Sequence, residues 1–357
     1  MEAGKRSSVR IVWAASYGGR QAGSFIPSLE SVARRVIARG DSLDAVVPEV
    51  GPAVWHDEVR ALGVGLHVVP DFGRAAAART RALRPDIVHV HFDNWAVPVT
   101  LALWPSSARL LWHVHSTRQP DGGPLRRTPK RAIKFGLIGA RVAHFVCVTE
   151  TIAGEVHQLG AAARKIVVLP NAVDGTRFYR PDAATRERTR AKLGLGAQPA
   201  IAFFGRDPAI KGADYLAAAL PAVPNVTVVC VATPDQACAE LARQAPVVAV
   251  PLLDDVRDVL WAVDAIVLPS RGEGMPYVAL EALACGVPVV AHDLGWGREL
   301  AAGNPGVRLV PVGDAAALAA ALRATLADPP STRSGASGDL ETWTTKMVAL
   351  YDGMRAK

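Results

Sequence analysis

Short apolar runs, each followed by a stretch of helical spacing, recur through both halves of the chain, and this alternation limits the folds open to it. V-R-I-V-W-A-A reads as a first strand, followed by the glycine-bearing loop S-Y-G-G-R-Q-A-G-S. F-I-P-S-L-E-S-V-A-R-R-V-I-A-R-G then has helical spacing and stops at Gly40, a residue type suited to the position just past a helix end. L-D-A-V-V-P, D-I-V-H-V-H-F, L-L-W-H-V-H and H-F-V-C-V-T continue the strand series. The second half repeats the scheme with A-I-A-F-F-G, V-T-V-V-C-V, V-V-A-V-P, A-I-V-L-P and V-P-V-V-A. Strands separated by helices require crossovers and a parallel sheet. The two halves therefore read as two doubly wound α/β domains, without close internal sequence repetition. The polar, turn-rich P-N-A-V-D-G-T-R-F-Y-R-P-D at 170–182 reads as the linker. The expected division is 1–170, 171–335 and a terminal helix in 336–357, with Leu340, Trp343, Met347, Leu350 and Tyr351 on one side.

A length of 357 residues suits two domains rather than one core. The formal charge of +7 is uneven: residues 1–170 carry 22 Lys+Arg against 13 Asp+Glu, and the remainder 18 against 20. Such an excess suits an anionic membrane, a phosphorylated substrate or nucleic acid. No basic motif interleaved with aromatics accompanies the charge, which argues against nucleic acid. Cys147, Cys230, Cys238 and Cys285 have neither C-x-x-C spacing nor a histidine cluster beside them, so neither zinc nor a disulfide framework is expected. The N-terminus has no long apolar segment of a signal peptide, and no apolar run is long enough to cross a membrane. A reducing, cytoplasmic setting is the expectation.

Open α/β sheets bind ligands beyond the carboxyl ends of their strands, so the loops that follow strands carry the candidate chemistry. Tyr17-Gly18-Gly19-Arg20 follows the first strand. Its glycines permit close backbone approach to a substrate or phosphate, although the loop is not G-x-G-x-x-G. His113 and His115 alternate at the end of one strand, as His89 and His91 do on the preceding one; each pair shares a face. Most of the four are expected to pack at the top of the sheet, and one to offer a hydrogen bond at a ligand. F-F-G-R-D-P-A-I-K-G sets Gly205, Arg206 and Lys211 on a short loop before a helix. A guanidinium fork, an ammonium and backbone donors together suit a pyrophosphate. In S-R-G-E-G-M-P-Y-V-A-L-E-A-L-A-C-G, a helix is expected from about Pro276 to Ala284, with Gly286 just past its end. Glu273 sits at its entrance. Glu281 lies among Val278, Ala279, Leu280, Ala282 and Leu283 on a helix apolar nearly all round, so it needs a partner such as ligand hydroxyls. Two carboxylates could grip the hydroxyls of a sugar and a ribose, or serve as a hydrolytic acid and base.

Together these segments resemble the retaining glycosyltransferases of family four, whose fold is GT-B: two Rossmann-like domains facing across a cleft. Glu273 and Glu281, with seven residues between them, match the family's paired glutamates. Gly205 to Gly212 match its G-R-x-x-x-x-K-G signature, and Asn171-Ala172-Val173-Asp174 its linker motif. Gly18-Gly19 match its first loop, His115 its cleft histidine, and Gly286–Ala291 with Gly295–Glu299 its later segments. The resemblance spans nearly the whole chain. It departs at Ala172 and Trp296, each in place of glycine, and at Asp207-Pro208. It implies that the second domain binds a UDP-, GDP- or dTDP-sugar, with Arg206 and Lys211 at the diphosphate. Glu281 would hold the ribose, and Glu273 with the Gly274-Met275-Pro276 backbone would hold the sugar. It also implies that the first domain binds a hydroxyl acceptor, with His115 near the reacting sugar, and that no metal or other cofactor is required. The final helix would cross back onto the first domain.

Residues 126–141 concentrate basic charge, with Thr128 and Pro129 suited to start a helix and Lys130, Arg131 and Lys134 on one side. Such a helix can rest on an anionic membrane, so the acceptor could be a lipid-linked glycan, a polysaccharide precursor or a soluble secondary metabolite. A sugar-nucleotide epimerase or other non-transferring enzyme on the same fold is the second function class, and a two-lobed solute-binding protein the third.

Overall fold

The computed structural model describes residues 8–20, 22–116, 128–205, 207–231, 237–251, 255–329 and 339–355. The chain forms two compact units. The first takes the described residues up to Pro170 and, from the far end of the chain, the helix Leu340–Gly353; the second takes those from Asn171 to Asp339.

The first unit is built on β1 (Arg10–Ala15), β2 (Ser42–Pro48), β3 (Gly65–Val69), β4 (Ile87–His91), β5 (Arg109–Val114), β6 (His144–Cys147) and β7 (Ile166–Val168). They pair in parallel in the order β3-β2-β1-β4-β5-β6-β7. The central strands are nearly continuous runs of buried residues, as a sheet covered on both faces requires. The helix Phe25–Ala38 buries Phe25, Leu29, Val32 and Val36, and Gly40 beyond its end has φ +90°. The terminal helix packs beside it and buries Trp343, Thr344, Met347, Val348 and Tyr351, while Leu350 is half-buried.

The second unit is built on β8 (Ala200–Phe204), β9 (Thr227–Val231), β10 (Val247–Val250), β11 (Ala265–Leu268), β12 (Val289–His292) and β13 (Val307–Val310). These are again parallel, in the order β10-β9-β8-β11-β12-β13. Its core joins Ile201, Phe203, Val228, Val267 and Val290 of the sheet to Leu216, Leu220, Leu318 and Leu322 of the flanking helices.

In both sheets the strand order reverses direction next to the first strand, at β1/β4 and at β8/β11. At such a switch point the following loops diverge to opposite faces and leave a crevice at the carboxyl ends of the strands. The crevices fall where the glycine loop follows β1, and where the loops of Lys211 and Glu273 follow β8 and β11. All four cysteines are buried and unpaired. No helix among the described residues is long and apolar enough to cross a membrane.

Candidate active site

In the second unit, Asp207 caps the short helix Pro208–Lys211 by accepting from Ile210 N–H at 3.3 Å, and Pro208 occupies its first position. Gly212 ends that turn with φ +73° and starts the helix Ala213–Ala219. A Cβ here would fall on the Pro269 carbonyl oxygen. Gly212 is therefore required twice, by its backbone angle and by the approach of the loop after β11. That loop is zipped to the first one. Arg271 N–H donates to Ile210 O at 2.8 Å, and its guanidinium forks onto Asp214 at 2.8 and 2.5 Å while lying 4.1 Å from the Tyr215 ring centroid. Asp214 is held below the usual carboxylate range chiefly by its hydrogen bond from Arg271.

This clasp brings Lys211 and Glu273 together although 62 positions separate them: the ammonium donates to Glu273 Oε1, which also accepts from Ser270 Oγ at 3.0 Å. Glu273 thus finds its cation across the crevice. Ser270 is fully buried, and its carbonyl is 3.2 Å from His292 Nδ1. Gly313 N–H donates to His292 Nε2 at 3.5 Å, so Nδ1 carries the proton that bonds Ser270. Burial lowers the pKa of His292, which favours this neutral form.

The helix after this loop spans Tyr277–Ala284, one residue later than the sequence suggests. Pro276 is its cap, with extended ψ of 124°, rather than its first helical residue. Gly274 and Met275 are buried, and Asn171 Nδ2 donates to Met275 O at 2.8 Å, tying the linker motif to this loop. Glu281 is 5% exposed, in the helix's second turn, and its charge helps burial push the Cys285 thiol up to about 12. Gly286 closes the helix at φ +80°. Gly205 follows β8, where a Cβ would lie 2.5 Å from the Phe203 ring. Arg206, the other cation expected here, lies outside the described residues. Trp296, in place of glycine, is buried at the start of the helix Gly295–Gly303.

In the first unit, the loop after β1 folds the Tyr17 ring over Gly19, where a Cβ would meet it at 2.7 Å, and Trp55 Nε1 donates to Gly19 O at 3.3 Å. Gly18 has open space where a Cβ would project, so packing does not demand glycine there. At the ends of β4 and β5, the structure gathers all four histidines. His89 and His113 share an Nε2···Nδ1 hydrogen bond of 3.3 Å, and His91 and His115 an Nδ1···Nε2 bond of 3.3 Å. The pairs lie one over the other, His89 above His91 with centroids 3.8 Å apart and His113 above His115 at 4.4 Å. His89, His91 and His113 are at most 3% exposed; His115 is half-buried. Desolvation lowers all four pKa values, His115 to about 3 and the others well below the ordinary range. The cluster is thus a set of neutral hydrogen-bonding rings.

Nitrogens of His89, His91 and His113 lie within 4.8 Å of one another, a spacing open to a metal ion. The closest of these nitrogens, His89 Nε2 and His113 Nδ1, already face each other as donor and acceptor. Sequence reasoning found the histidines as two same-face pairs but not the bonds and layering that join the pairs, nor the Arg271–Asp214–Tyr215 clasp, whose ion pair joins residues 57 positions apart.

A family model described as glycosyl transferases group 1 matches residues 198–328, and one described as Glycosyltransferase Family 4 matches residues 28–177. A D-inositol 3-phosphate glycosyltransferase of Jonesia denitrificans is 30% identical over 322 residues, covering 78% of this chain and 74% of the relative. An enzyme of the same description from Mycobacterium tuberculosis is 30% identical over 237 residues, covering 59% of this chain and 47% of its own length. Anabaena HepE, solved in complex with UDP-glucose, superposes with a TM-score of 0.77 over 97% of this chain and 100% of its own, at 18% identity. That likeness fixes the fold as GT-B.

Proposed function

The chain belongs to the group 1 and family 4 glycosyltransferases, and from that premise we propose that it moves a sugar from a uridine diphosphate donor to a hydroxyl of an anionic acceptor, with retention and without a metal. One observation carries the donor half of this reading: Lys211 and Glu273 meet at the switch point of the second sheet, beside the entrance of the buried helix that bears Glu281. In this reading Lys211, with Arg206, faces the diphosphate and Glu273 shifts from the ammonium to sugar hydroxyls. Gly205 and the Gly274-Met275-Pro276 backbone lie against the donor, and Glu281 holds the ribose. In the first unit, Gly18 and Gly19 serve substrate binding, and His115 contacts the transferred sugar.

The bond between the anomeric carbon and the phosphate oxygen breaks, and the acceptor oxygen bonds to that carbon on the same face. The acceptor proton passes to the departing diphosphate. Charge builds on the diphosphate as this happens, and fixed cations stabilise it more than they stabilise the bound donor. His115, with its pKa near 3, serves as a neutral hydrogen-bonding group rather than an acid.

The uridine assignment is supported by the UDP-glucose named with Anabaena HepE, and the anionic acceptor by the D-inositol 3-phosphate named for the relatives. The excess of 22 basic over 13 acidic residues in positions 1–170 supports the same acceptor class. Calorimetric titration with UDP, GDP and dTDP, beside an Arg206→Ala variant, tests the donor site. UDP binding that is lost in the variant is expected, and no binding of any nucleotide would overturn the reading. UDP-glucose and D-inositol 3-phosphate are the first donor and acceptor probes. Release of UDP only when acceptor is present separates transfer from epimerisation. The anomeric coupling in the product tests retention, and full activity in EDTA tests metal independence.

A further inference from the structure

The direction of each hydrogen bond in the histidine array can be worked out by counting orphaned atoms. Trp13 Nε1 can only donate, and it donates to Tyr351 Oη at 2.7 Å. Tyr351 is fully buried and lies 2.6 Å from His89 Nδ1. If Tyr351 donates its proton to Nδ1, His89 carries its own on Nε2 and donates to His113 Nδ1. Only His113 Nε2–H is then left without a partner among the described residues. Reversing the chain would strand the Tyr351 proton and the His113 Nε2 lone pair together, two orphans in place of one. The array is thus oriented from the terminal helix toward β5.

The second pair yields to the same reasoning. His91 Nε2 is buried and meets no partner among the described residues. If His115 donated to His91, that nitrogen would be a buried N–H without an acceptor. If His91 donates, it is a bare lone pair, the less costly orphan, since buried donors are left unmatched more rarely than acceptors. The ring of His91 is fixed for this task. It sits 4.3 Å from Trp13, 3.8 Å from His89 and 5.0 Å from Phe25 between centroids, so it cannot turn to present another edge.

We infer that His91 is a positioning residue for transfer: its Nδ1–H donates to His115 Nε2, fixes His115 as the Nδ1–H tautomer, and so makes His115 a donor toward a hydroxyl oxygen of the sugar. The inference rests on the assignment of His115 to the sugar contact. A ring free to exchange tautomers would present a lone pair for part of the time, which cannot serve a sugar oxygen that needs a donor. The cost would fall on the reacting complex rather than on the hold on the nucleotide.

The test joins a spectroscopic readout to a kinetic one on the full chain. Long-range proton–nitrogen correlation of ¹⁵N-histidine-labelled protein should show His115 protonated on Nδ1. In His91→Leu the His115 signals should move toward a tautomer mixture. With the donor and acceptor probes above, kcat should fall about tenfold, the worth of one hydrogen bond of about 1.4 kcal/mol, while KM for UDP-glucose changes less than about twofold. His91→Asn places an amide N–H where Nδ1 was and should restore most of kcat. An Nε2–H tautomer of His115 in the unaltered protein would overturn the inference, whatever the variants do. So would a His91→Asn enzyme as slow as His91→Leu, because the role would then be packing. His115→Ala separates the two layers of the reading. Unimpaired transfer in that variant would sink the sugar contact and the catalytic role of His91 with it. A slow His115→Ala beside an unimpaired His91→Leu would sink the positioning role alone.

Discussion

The buried histidines should make the first unit acid-labile well above the pH at which carboxylates titrate. His89, His91 and His113 are 0%, 1% and 3% exposed, and burial, with neighbouring imidazoles adding to it, holds each well below the ordinary imidazole value. In the unfolded chain the same rings regain a pKa of about 6.5. A base with a depressed folded pKa binds more protons when unfolded, so stability rises with pH between the folded and unfolded values. This contribution is complete above about 6.5 and is lost progressively as the pH falls below it. Each ring that stays neutral in the fold, His115 at about 3 included, forfeits about 1.4 kcal/mol per pH unit in that range, so the four forfeit about 5–6 kcal/mol between pH 7.5 and 5.5. A domain's whole stability is about 5–15 kcal/mol, so the loss is large. Tryptophan fluorescence is a suitable probe, because six of the eight tryptophans lie in this unit and Trp13 sits 4.3 Å from His91. Urea unfolding at the two pH values should show a much lower midpoint at pH 5.5, and His113→Asn should remove about a quarter of the dependence. Stability at pH 5.5 within about 1 kcal/mol of that at pH 7.5 would refute the reasoning, since it would mean that the rings protonate in place.

Gly212→Ala should destabilise the second unit by more than the roughly 1–2 kcal/mol of a left-handed non-glycine residue, because its Cβ also displaces the Pro269 carbonyl; chemical denaturation and UDP titration should both register it. Lys211→Ala should lower kcat by about 10²–10³, as expected for a fixed charge facing a developing anion, with a smaller change in UDP affinity; an equal loss in both would assign the lysine to ground-state binding. Glu281→Ala should weaken UDP binding, and Glu273→Ala should mainly slow transfer; calorimetry and single-turnover kinetics would separate them, and normal UDP affinity in Glu281→Ala would reject its ribose role. Ile133 and Leu137 are 51% and 67% exposed, one turn apart and beside Lys130 and Arg131; we propose that this segment touches anionic membranes, so the protein should co-sediment with vesicles rich in phosphatidylglycerol and not with neutral ones, and Leu137→Ser should weaken the association.

Much of the architecture was legible because the central strands are buried on both faces and announce themselves as unbroken apolar runs. The strands that escaped notice, Gly65–Val69, Ile166–Val168 and Val307–Val310, lie at sheet edges. They are only partly buried, so their sequences carry little strand signal. The basic segment shows the limit of periodicity. Thr128 caps and Pro129 opens a helix as the sequence suggests, but α-helical geometry lasts only to Ala132 before a π turn over Ile133–Leu137 and a 3₁₀ turn over Ile138–Arg141. Residues 126 and 127 of that stretch lie outside the described residues. The π turn leaves Phe135 buried while Ile133 and Leu137 stay exposed.

The two sites differ in what a one-dimensional reading can supply. At β8 and β11 the chemistry is written in residue types. A lysine and a glutamate, each placed after a strand on either side of a switch point, must come within reach once the strand order is known, and glycine at 212 is what lets the loops close. At β4 and β5 the residue types are equally visible, but their function depends on which nitrogen bears each proton. In the first layer, His89 and His113, that is set by Trp13 and Tyr351, 338 positions apart. The indole can only donate, so the phenol must pass its proton on, and each imidazole transmits the choice to the next. The direction of that relay is decided at the terminal helix. Tyr351→Phe should therefore disturb the tautomer of His113 in the first layer while leaving the His91–His115 bond of the second in place. Histidine ¹⁵N shifts would show the two layers responding separately, and a change at His115 as large as that at His113 would mean that the layers act as one network.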